Sequence, residues 1–224
     1  MKALDLGIQG VLVSPGDHLC GLYSGSAERD RLLVAMLRAG LSSGDKCICV
    51  VDGAHPTDIA AAVGPDVDGA ERSDKQLEIV RAADMYLRSG RFSAPEIISA
   101  WKATISDVMY DGRFDLVRGI ETWSRRDVVP DPRELLVLES EMRRYLPLYP
   151  QVVVCLYDLD RFGGGIVVDL LKTHPRVLVN GMVLENPYCL SPDDLLNGET
   201  DSDHAVNERL EMAEWCYAAT TGST

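Results

Sequence analysis

Two short clusters contain the residue types that could carry out chemistry. Near the N-terminus, His18 and Cys20 are separated by one residue, and on an extended strand this spacing places both side chains on one face. Cys155 and Tyr157 repeat the arrangement far along the chain. An imidazole and a thiol that converge can ligate a soft or borderline transition metal, and a thiol beside an imidazole can act as a nucleophile. Packing of both pairs in the core is the alternative interpretation.

Further polar and aromatic candidates lie where predicted strands and helices end. Glu121 and Trp123 close a predicted strand, and His174 ends a predicted helix, where a cationic imidazole suits the negative end of the helix dipole. The structural alternatives are a solvated carboxylate for Glu121, core packing for Trp123 and helix termination for His174. Asp158 and Arg161 lie at a strand-to-helix turn, and their structural alternative is an i, i+3 ion pair. The candidate ligand-binding residues are His18, Cys20, Tyr23, Glu121, Trp123, Cys155, Tyr157, Asp158, Arg161 and His174, and any metal is expected at His18 and Cys20.

Strands alternate with helices along most of the chain. Apolar runs predict strands at 17–23, 46–52, 77–80, 114–120 and 152–157, and helical spacing predicts helices at 27–41, 56–63, 94–110, 132–145 and 165–172. Asn180-Gly181 predicts a closing hairpin, because Asn-Gly is the strongest two-residue turn signal. This alternation predicts an α/β fold with a mainly parallel sheet, covered on both faces, in which the first and fifth strands are neighbours. Glu139 and Glu141 are interpreted as part of the solvated face of the predicted helix at 132–145.

Composition restricts the classes of partner. The net charge of −13 over 224 residues argues against a surface that binds nucleic acid directly, since such surfaces cluster Lys and Arg. No apolar run approaches the roughly 20 residues that span a bilayer, and the N-terminus lacks a secretion-signal pattern. A cytoplasmic location without membrane association is expected, and six cysteines in mostly apolar runs fit a reducing compartment.

The first strand-to-helix loop lacks the residues of a nucleotide site. A phosphate-binding loop needs glycines, a Lys and a Ser or Thr, whereas residues 23–30 contain no Lys and carry two acids. We therefore expect neither bound ATP nor ATP hydrolysis of this type.

Three blocks together resemble the MEDS sensory domain family (methanogen/methylotroph, DcmR-type). They are the His18-Leu19-Cys20 segment, the run from Cys155 to Phe162 and Asn186-Pro187-Tyr188, and the resemblance spans about residues 15–190. It implies a RecA/KaiC-like fold that has lost its nucleotide machinery, with 191–224 as an acidic linker and helix packed on or extending from that domain. The family's Gly-Glu-Met-x-Trp segment differs here. The acid falls one residue later, at Glu121, which would turn it to the other strand face unless the backbone bulges.

The resemblance also implies a function. Such domains are regarded as non-enzymatic sensors of a small molecule, proposed to be a simple hydrocarbon derivative, and many carry a helix-turn-helix, histidine-kinase or anti-sigma module as their output. We expect this chain to act in trans through such a protein partner, with the segment after Ser191 as the contact surface. Ring-forming RecA relatives make a homo-oligomer conceivable. A metal- or haem-binding protein or enzyme using His18 and Cys20, and a ligand-free scaffold, remain open alternatives.

Overall fold

The computed structural model describes residues 3–67, 70–71, 75–124 and 131–196. The strands are β1 (Leu4–Asp5), β2 (Leu12–Val13), β3 (His18–Tyr23), β4 (Lys46–Val51), β5 (Asp66–Val67), β6 (Ala70–Glu71), β7 (Leu77–Arg81), β8 (Val117–Trp123), β9 (Gln151–Asp158), β10 (Arg176–Val179) and β11 (Met182–Glu185). The helices are α1 (Gly25–Ser42), α2 (Pro56–Val63), α3 (Ala82–Tyr86), α4 (Ala94–Asp111), α5 (Pro132–Tyr145), α6 (Gly164–Thr173) and α7 (Pro192–Leu196), with a 3-10 turn at Leu146–Leu148.

A seven-stranded sheet forms the centre of the fold. Its order is β11-β10-β3-β9-β8-β4-β7, and every pairing is parallel except that of the edge strand β11 with β10. The predicted α/β class, the neighbouring first and fifth strands (β3 and β9) and the hairpin at Asn180-Gly181 are confirmed. Both hairpin residues have positive φ, which Asn and Gly tolerate best. The RecA/KaiC-like relationship stays a prediction.

The sheet separates two apolar layers. One face, called here the α5 face, packs against α3, α4, α5 and α6, while the other, the α1 face, packs against α1 and α2. Strands β8 and β9 are buried along their whole lengths, as expected for parallel strands covered on both sides. Among the described residues, no helix is long and apolar enough to cross a membrane.

Strand β8 begins three residues later than predicted. Residues 114–116 are partly apolar and resemble a strand, but the pairing starts where Val117 aligns with Lys46 and Gln151. As a consequence, Glu121 and Trp123 lie within a fully buried strand. Of the predicted linker and helix at 191–224, residues 197–224 lie outside the described residues.

Helix α4 approaches β8 closely at Gly119. A Cβ atom on Gly119 would lie 2.8 Å from the Trp101 ring and 3.0 Å from Val153, so only glycine leaves room for the indole. The Trp101 Nε1–H donates a hydrogen bond to the buried Gln151 side chain at 3.1 Å. These contacts hold α4 against the centre of the sheet.

We expect Gly119→Ala to lower the free energy of unfolding by about 1–3 kcal/mol, because the added methyl group overpacks a site whose neighbours are ring and strand atoms. Gly165→Ala is the matched control. Its Cβ would meet no neighbouring atom, and alanine favours the helix, so stability should stay equal or rise by up to about 1 kcal/mol. Urea unfolding of both variants measures the difference, and equal midpoints for the Gly119 variant and the wild type would contradict the described packing.

Candidate functional site

The parallel register places predicted site residues from three strands side by side. Cys20 of β3 aligns with Cys155 of β9, which aligns with Glu121 of β8. Trp123 and Tyr157 form the next aligned pair. Side chains alternate between faces along a strand, so all five lie on the α5 face, where Cys20, Trp123, Cys155 and Tyr157 belong to one buried layer. The pairing of β8 with β9 runs without a bulge through Glu121, which therefore shares its face with Trp123.

Helix α5 covers this layer and contributes an acid that was assigned incorrectly from the sequence. Glu139 is only 1% exposed, so its prediction as a solvated residue is wrong. It follows Leu135 by four residues and Leu138 by one, and it therefore lies on the apolar stripe of the helix. The prediction for Glu141 fits better, since its side chain is 34% exposed and pairs with Arg144.

Four side chains converge on the Glu139 carboxylate. Its Oε2 lies 3.1 Å from His18 Nε2, 3.3 Å from His174 Nε2 and 3.6 Å from Cys155 Sγ. The Tyr157 hydroxyl donates a short hydrogen bond to Oε1. Every member is buried. This group is called here the Glu139 cluster, and it joins β3, β9, α5 and the segment after α6.

His174 is held in position from two sides. Its Nδ1 lies 2.9 Å from the Leu170 carbonyl in the last turn of α6, so the residue both ends the helix and contacts the cluster. The Asn186 side-chain amide donates to the carbonyls of His174 and Leu171 at 2.7 and 2.6 Å. The Asn-Pro-Tyr block near the end of the described chain thus fixes the backbone that carries the imidazole.

Burial changes the acid–base behaviour of the cluster. Desolvation is the main reason that the pKa of His18 falls to about 4, so this imidazole is uncharged at neutral pH. Burial alone would raise the pKa of Glu139, but the charge of His174 and hydrogen bonds from both histidines outweigh it and lower the pKa. Burial raises the pKa of the Cys155 thiol, which lies 3.4 Å from His18 Nε2. A buried thiol with a raised pKa is a poor nucleophile, so the geometry disfavours thiolate catalysis.

An aromatic layer adjoins the cluster. Trp123 stacks on Tyr86 of α3 with ring centroids 4.7 Å apart and lies nearly parallel to Tyr157 at 6.3 Å. One buried polar atom, Trp123 Nε1, makes no hydrogen bond within the described part of the chain, whereas the Tyr86 hydroxyl interacts with the Glu121 carboxyl. Burial, followed by the charge of Glu139, raises the pKa of Glu121 to about 8, so that carboxyl is mostly protonated at neutral pH. The layer is therefore aromatic and apolar, with Trp123 Nε1 as a polar atom that no described residue satisfies.

Three of the ten candidate residues lie apart from this face. Tyr23 belongs to the buried layer of the α1 face and aligns with Asp158, while Arg161 is exposed. Tyr23 interacts with charged residues that line a cavity of about 790 Å³ between α1, α2 and the ends of β4 and β7. None of the ten candidate residues lines that cavity, whose described lining includes Arg29, Asp30, Asp52, His55, Asp58, Arg81 and Asp84.

The sequence missed two members of the site for different reasons. Glu139 carried a usable signal, since its position on the stripe of Leu135 and Leu138 indicates burial. No sequence signal indicated Tyr86, because its approach to Trp123 depends on how α3 crosses the sheet. Cys20, the other residue expected at any metal, stays a prediction. It lies in the core beside Cys155, but its thiol is outside the set of ligand-type atoms that surrounds Glu139.

The raised pKa of Glu121 predicts a pH-dependent stability. A carboxyl that keeps its proton longer in the folded chain contributes stability that is complete below its ordinary pKa of 4.5 and is lost as the pH rises through about 8. Glu121→Gln mimics the protonated form and removes this loss. We expect its stability relative to wild type to rise with pH across this range, by up to about 1.4 kcal/mol per unit.

Unfolding by urea at several pH values measures this effect. Glu141→Gln makes the same chemical change at a partly exposed position and should give a much flatter difference from wild type. A flat difference for Glu121→Gln would contradict a buried, protonated carboxyl.

Two comparisons relate the chain to known proteins. The family model for the MEDS domain, described as "MEthanogen/methylotroph, DcmR Sensory domain", matches residues 17–175. The chain is also similar to the transcriptional repressor DcmR of Methylorubrum extorquens, with 26% identity over 175 residues that cover 75% of this chain and 61% of that protein. The matched region is thus about three fifths of the length of the repressor. The match of the family model over most of the chain shows that the protein belongs to the MEDS sensory domain family.

Proposed function

We propose that this chain is a sensory and regulatory protein that binds a small ligand on the α5 face and signals in trans to a transcriptional or signalling partner. Membership of the MEDS family and similarity to a transcriptional repressor support the regulatory role. The observation that carries the ligand site is the convergence of predicted residues from separate strands into one buried layer that keeps an unsatisfied polar atom, Trp123 Nε1.

The proposed ligand site is the aromatic layer beside the Glu139 cluster. Tyr86, Trp123 and Tyr157 supply apolar surfaces, and the protonated carboxyl of Glu121 supplies a hydrogen-bond donor. Buried polar groups are nearly always hydrogen-bonded in native proteins, so the unpartnered Trp123 Nε1 favours a bound molecule with a polar atom of its own. An apolar site with a few convergent polar groups suits a small, uncharged hydrocarbon derivative.

Helix α5 connects the buried site to the surface through the contacts of its own side chains. Glu139 lies on its inner side, whereas Arg143 and Arg144 reach the chain that follows β11. Arg143 donates hydrogen bonds to Cys189 Sγ and the Leu190 carbonyl, and Arg144 pairs with Asp193 of α7. A ligand that shifts α5 would therefore change the position of α7, and we propose α7 and the segment after it as the surface that contacts the partner.

A ligand-free scaffold is the second candidate. One observation favours it: side chains fill much of the space on the α5 face, where Trp123 and Tyr157 are completely buried. In that case the aromatic layer is only core, and regulation would depend on partner binding alone.

A ligand screen by thermal unfolding separates the two candidates. The probes are short-chain alcohols, aldehydes, amines and haloalkanes, with tryptophan fluorescence as a second readout. We expect one chemical class to stabilise the protein by about 1.4 kcal/mol at ten times its Kd, because it binds only the folded chain. Trp123→Leu should lose the response. Tyr110→Phe, at a 95% exposed position, should keep it. A panel without any stabilising class, or a response that survives Trp123→Leu, would overturn the proposed site.

A further inference from the structure

The Glu139 cluster contains a complete set of metal-ligating atoms. His18, Glu139, Cys155 and His174 each offer one atom, and these four atoms lie within 4.8 Å of one another. All four side chains are at most 1% exposed. They come from β3, α5, β9 and the end of α6, so the arrangement is a product of the tertiary fold.

The spacing of these atoms matches the edges of a coordination tetrahedron. Zinc binds imidazole nitrogen at about 2.0–2.1 Å, carboxylate oxygen at similar lengths and thiolate sulfur at about 2.3 Å, which gives ligand–ligand distances of about 3.3–3.6 Å. The nitrogen of His18 lies 3.4 Å from Cys155 Sγ, and the distances to Glu139 Oε2 are 3.1, 3.3 and 3.6 Å. Four of the six edges therefore already have about the right length, and the other two are below 4.8 Å.

The position of His174 agrees with such a site. Its Nδ1 lies 2.9 Å from the Leu170 carbonyl oxygen and 2.8 Å from Thr173 Oγ1, so the other ring nitrogen is the one that faces the cluster. That nitrogen, Nε2, lies 3.3 Å from Glu139 Oε2 in a fully buried site. A buried ring nitrogen and a carboxylate oxygen this close need a proton or a cation between them.

We propose that His18 Nε2, His174 Nε2, Cys155 Sγ and Glu139 Oε2 together bind one divalent transition-metal ion, of the borderline class that zinc represents. A thiolate and a carboxylate supply two negative charges that a divalent cation neutralises, while the imidazoles bind as neutral ligands. Binding expels the thiol proton to solvent. Four protein ligands complete a tetrahedron, as in structural zinc sites, and the short contacts leave no room for a porphyrin.

The outer contacts also fit a metal site. Metal-bound histidines commonly donate their other ring N–H to a carbonyl, as His174 does to Leu170, and metal-bound carboxylates commonly accept a further hydrogen bond, as Glu139 does from Tyr157. The inference goes beyond the proposed function, because it would stand even if the aromatic layer bound no organic ligand. It also replaces Cys20 with Cys155 as the sulfur ligand.

The test is a titration of chelator-treated, folded protein with Co²⁺ and Zn²⁺. We expect one equivalent of Co²⁺ to bind and to give a thiolate-to-cobalt charge-transfer band with d–d bands of tetrahedral intensity, and Zn²⁺ to displace it. Cys155→Ser should lose the charge-transfer band, whereas Cys20→Ser, a change at the aligned buried cysteine, should keep it. Tyr157→Phe should weaken metal affinity roughly 10–100-fold, because it removes an outer partner of a ligand.

The wild-type titration decides the inference even if a variant fails to fold. A folded wild-type protein, verified by circular dichroism, that takes up no stoichiometric Co²⁺ or Zn²⁺ would overturn it, and so would a charge-transfer band that depends on Cys20. Repeating the organic ligand screen on metal-free and zinc-loaded protein separates this proposal from the proposed function. Metal binding without binding of any organic probe would contradict only the proposed ligand site. Binding of an organic probe without metal binding would contradict only the proposed metal site.

Discussion

The burial of the Glu139 carboxylate is the constraint on which this side of the molecule depends. A carboxylate in a protein interior is very costly unless neighbouring groups replace the water that it has lost. Here the replacements come from His18 on β3, Tyr157 on β9 and His174 after α6. The carboxylate is therefore satisfied only where helix α5 and all three of these elements meet, which ties the helix to this position on the sheet.

The side chains on the α5 face form two neighbouring groups. The Glu139 cluster occupies the side of β3 and α6, and the aromatic layer of Trp123 and Tyr86 occupies the side of β8 and α3. Tyr157 belongs to both, since its ring faces Trp123 and its hydroxyl binds Glu139. Tyr157 is thus a direct side-chain contact between the aromatic layer and the carboxylate on α5. At the other end of α5, Arg143 and Arg144 contact the chain after β11.

The sequence predicts the fold better than it predicts the site. Parallel strands such as β9 are buried on both faces and appear as continuous apolar runs, and Asn180-Gly181 marks a turn by its backbone preferences, so both could be identified locally. The family blocks also indicated His18, Cys155 and Tyr157. Glu139 was assigned to solvent because a carboxylate is usually exposed, although its position on an apolar stripe indicated the contrary.

Other features of the site could not be derived from local sequence. His18 and Cys20 share a strand face, but i, i+2 neighbours lie roughly 6.6 Å apart along a strand, and the diagonal neighbour Cys155 on β9 comes closer to the imidazole. His174 meets His18 across more than 150 positions, with ring centroids 4.2 Å apart, because β10 pairs with β3. Such contacts depend on strand order and register, which no single segment encodes.

The most direct test of the central claim, that the Glu139 carboxylate is buried and bound by the strand residues beneath it, is a double-mutant cycle with Glu139→Gln and Tyr157→Phe. The free energy of unfolding of the wild type, both single variants and the double variant is measured with a chelator present. The described contact predicts a coupling energy of about 0.5–3 kcal/mol between the two positions. Additive effects, within about 0.5 kcal/mol, would show that the two side chains do not interact and would contradict the account.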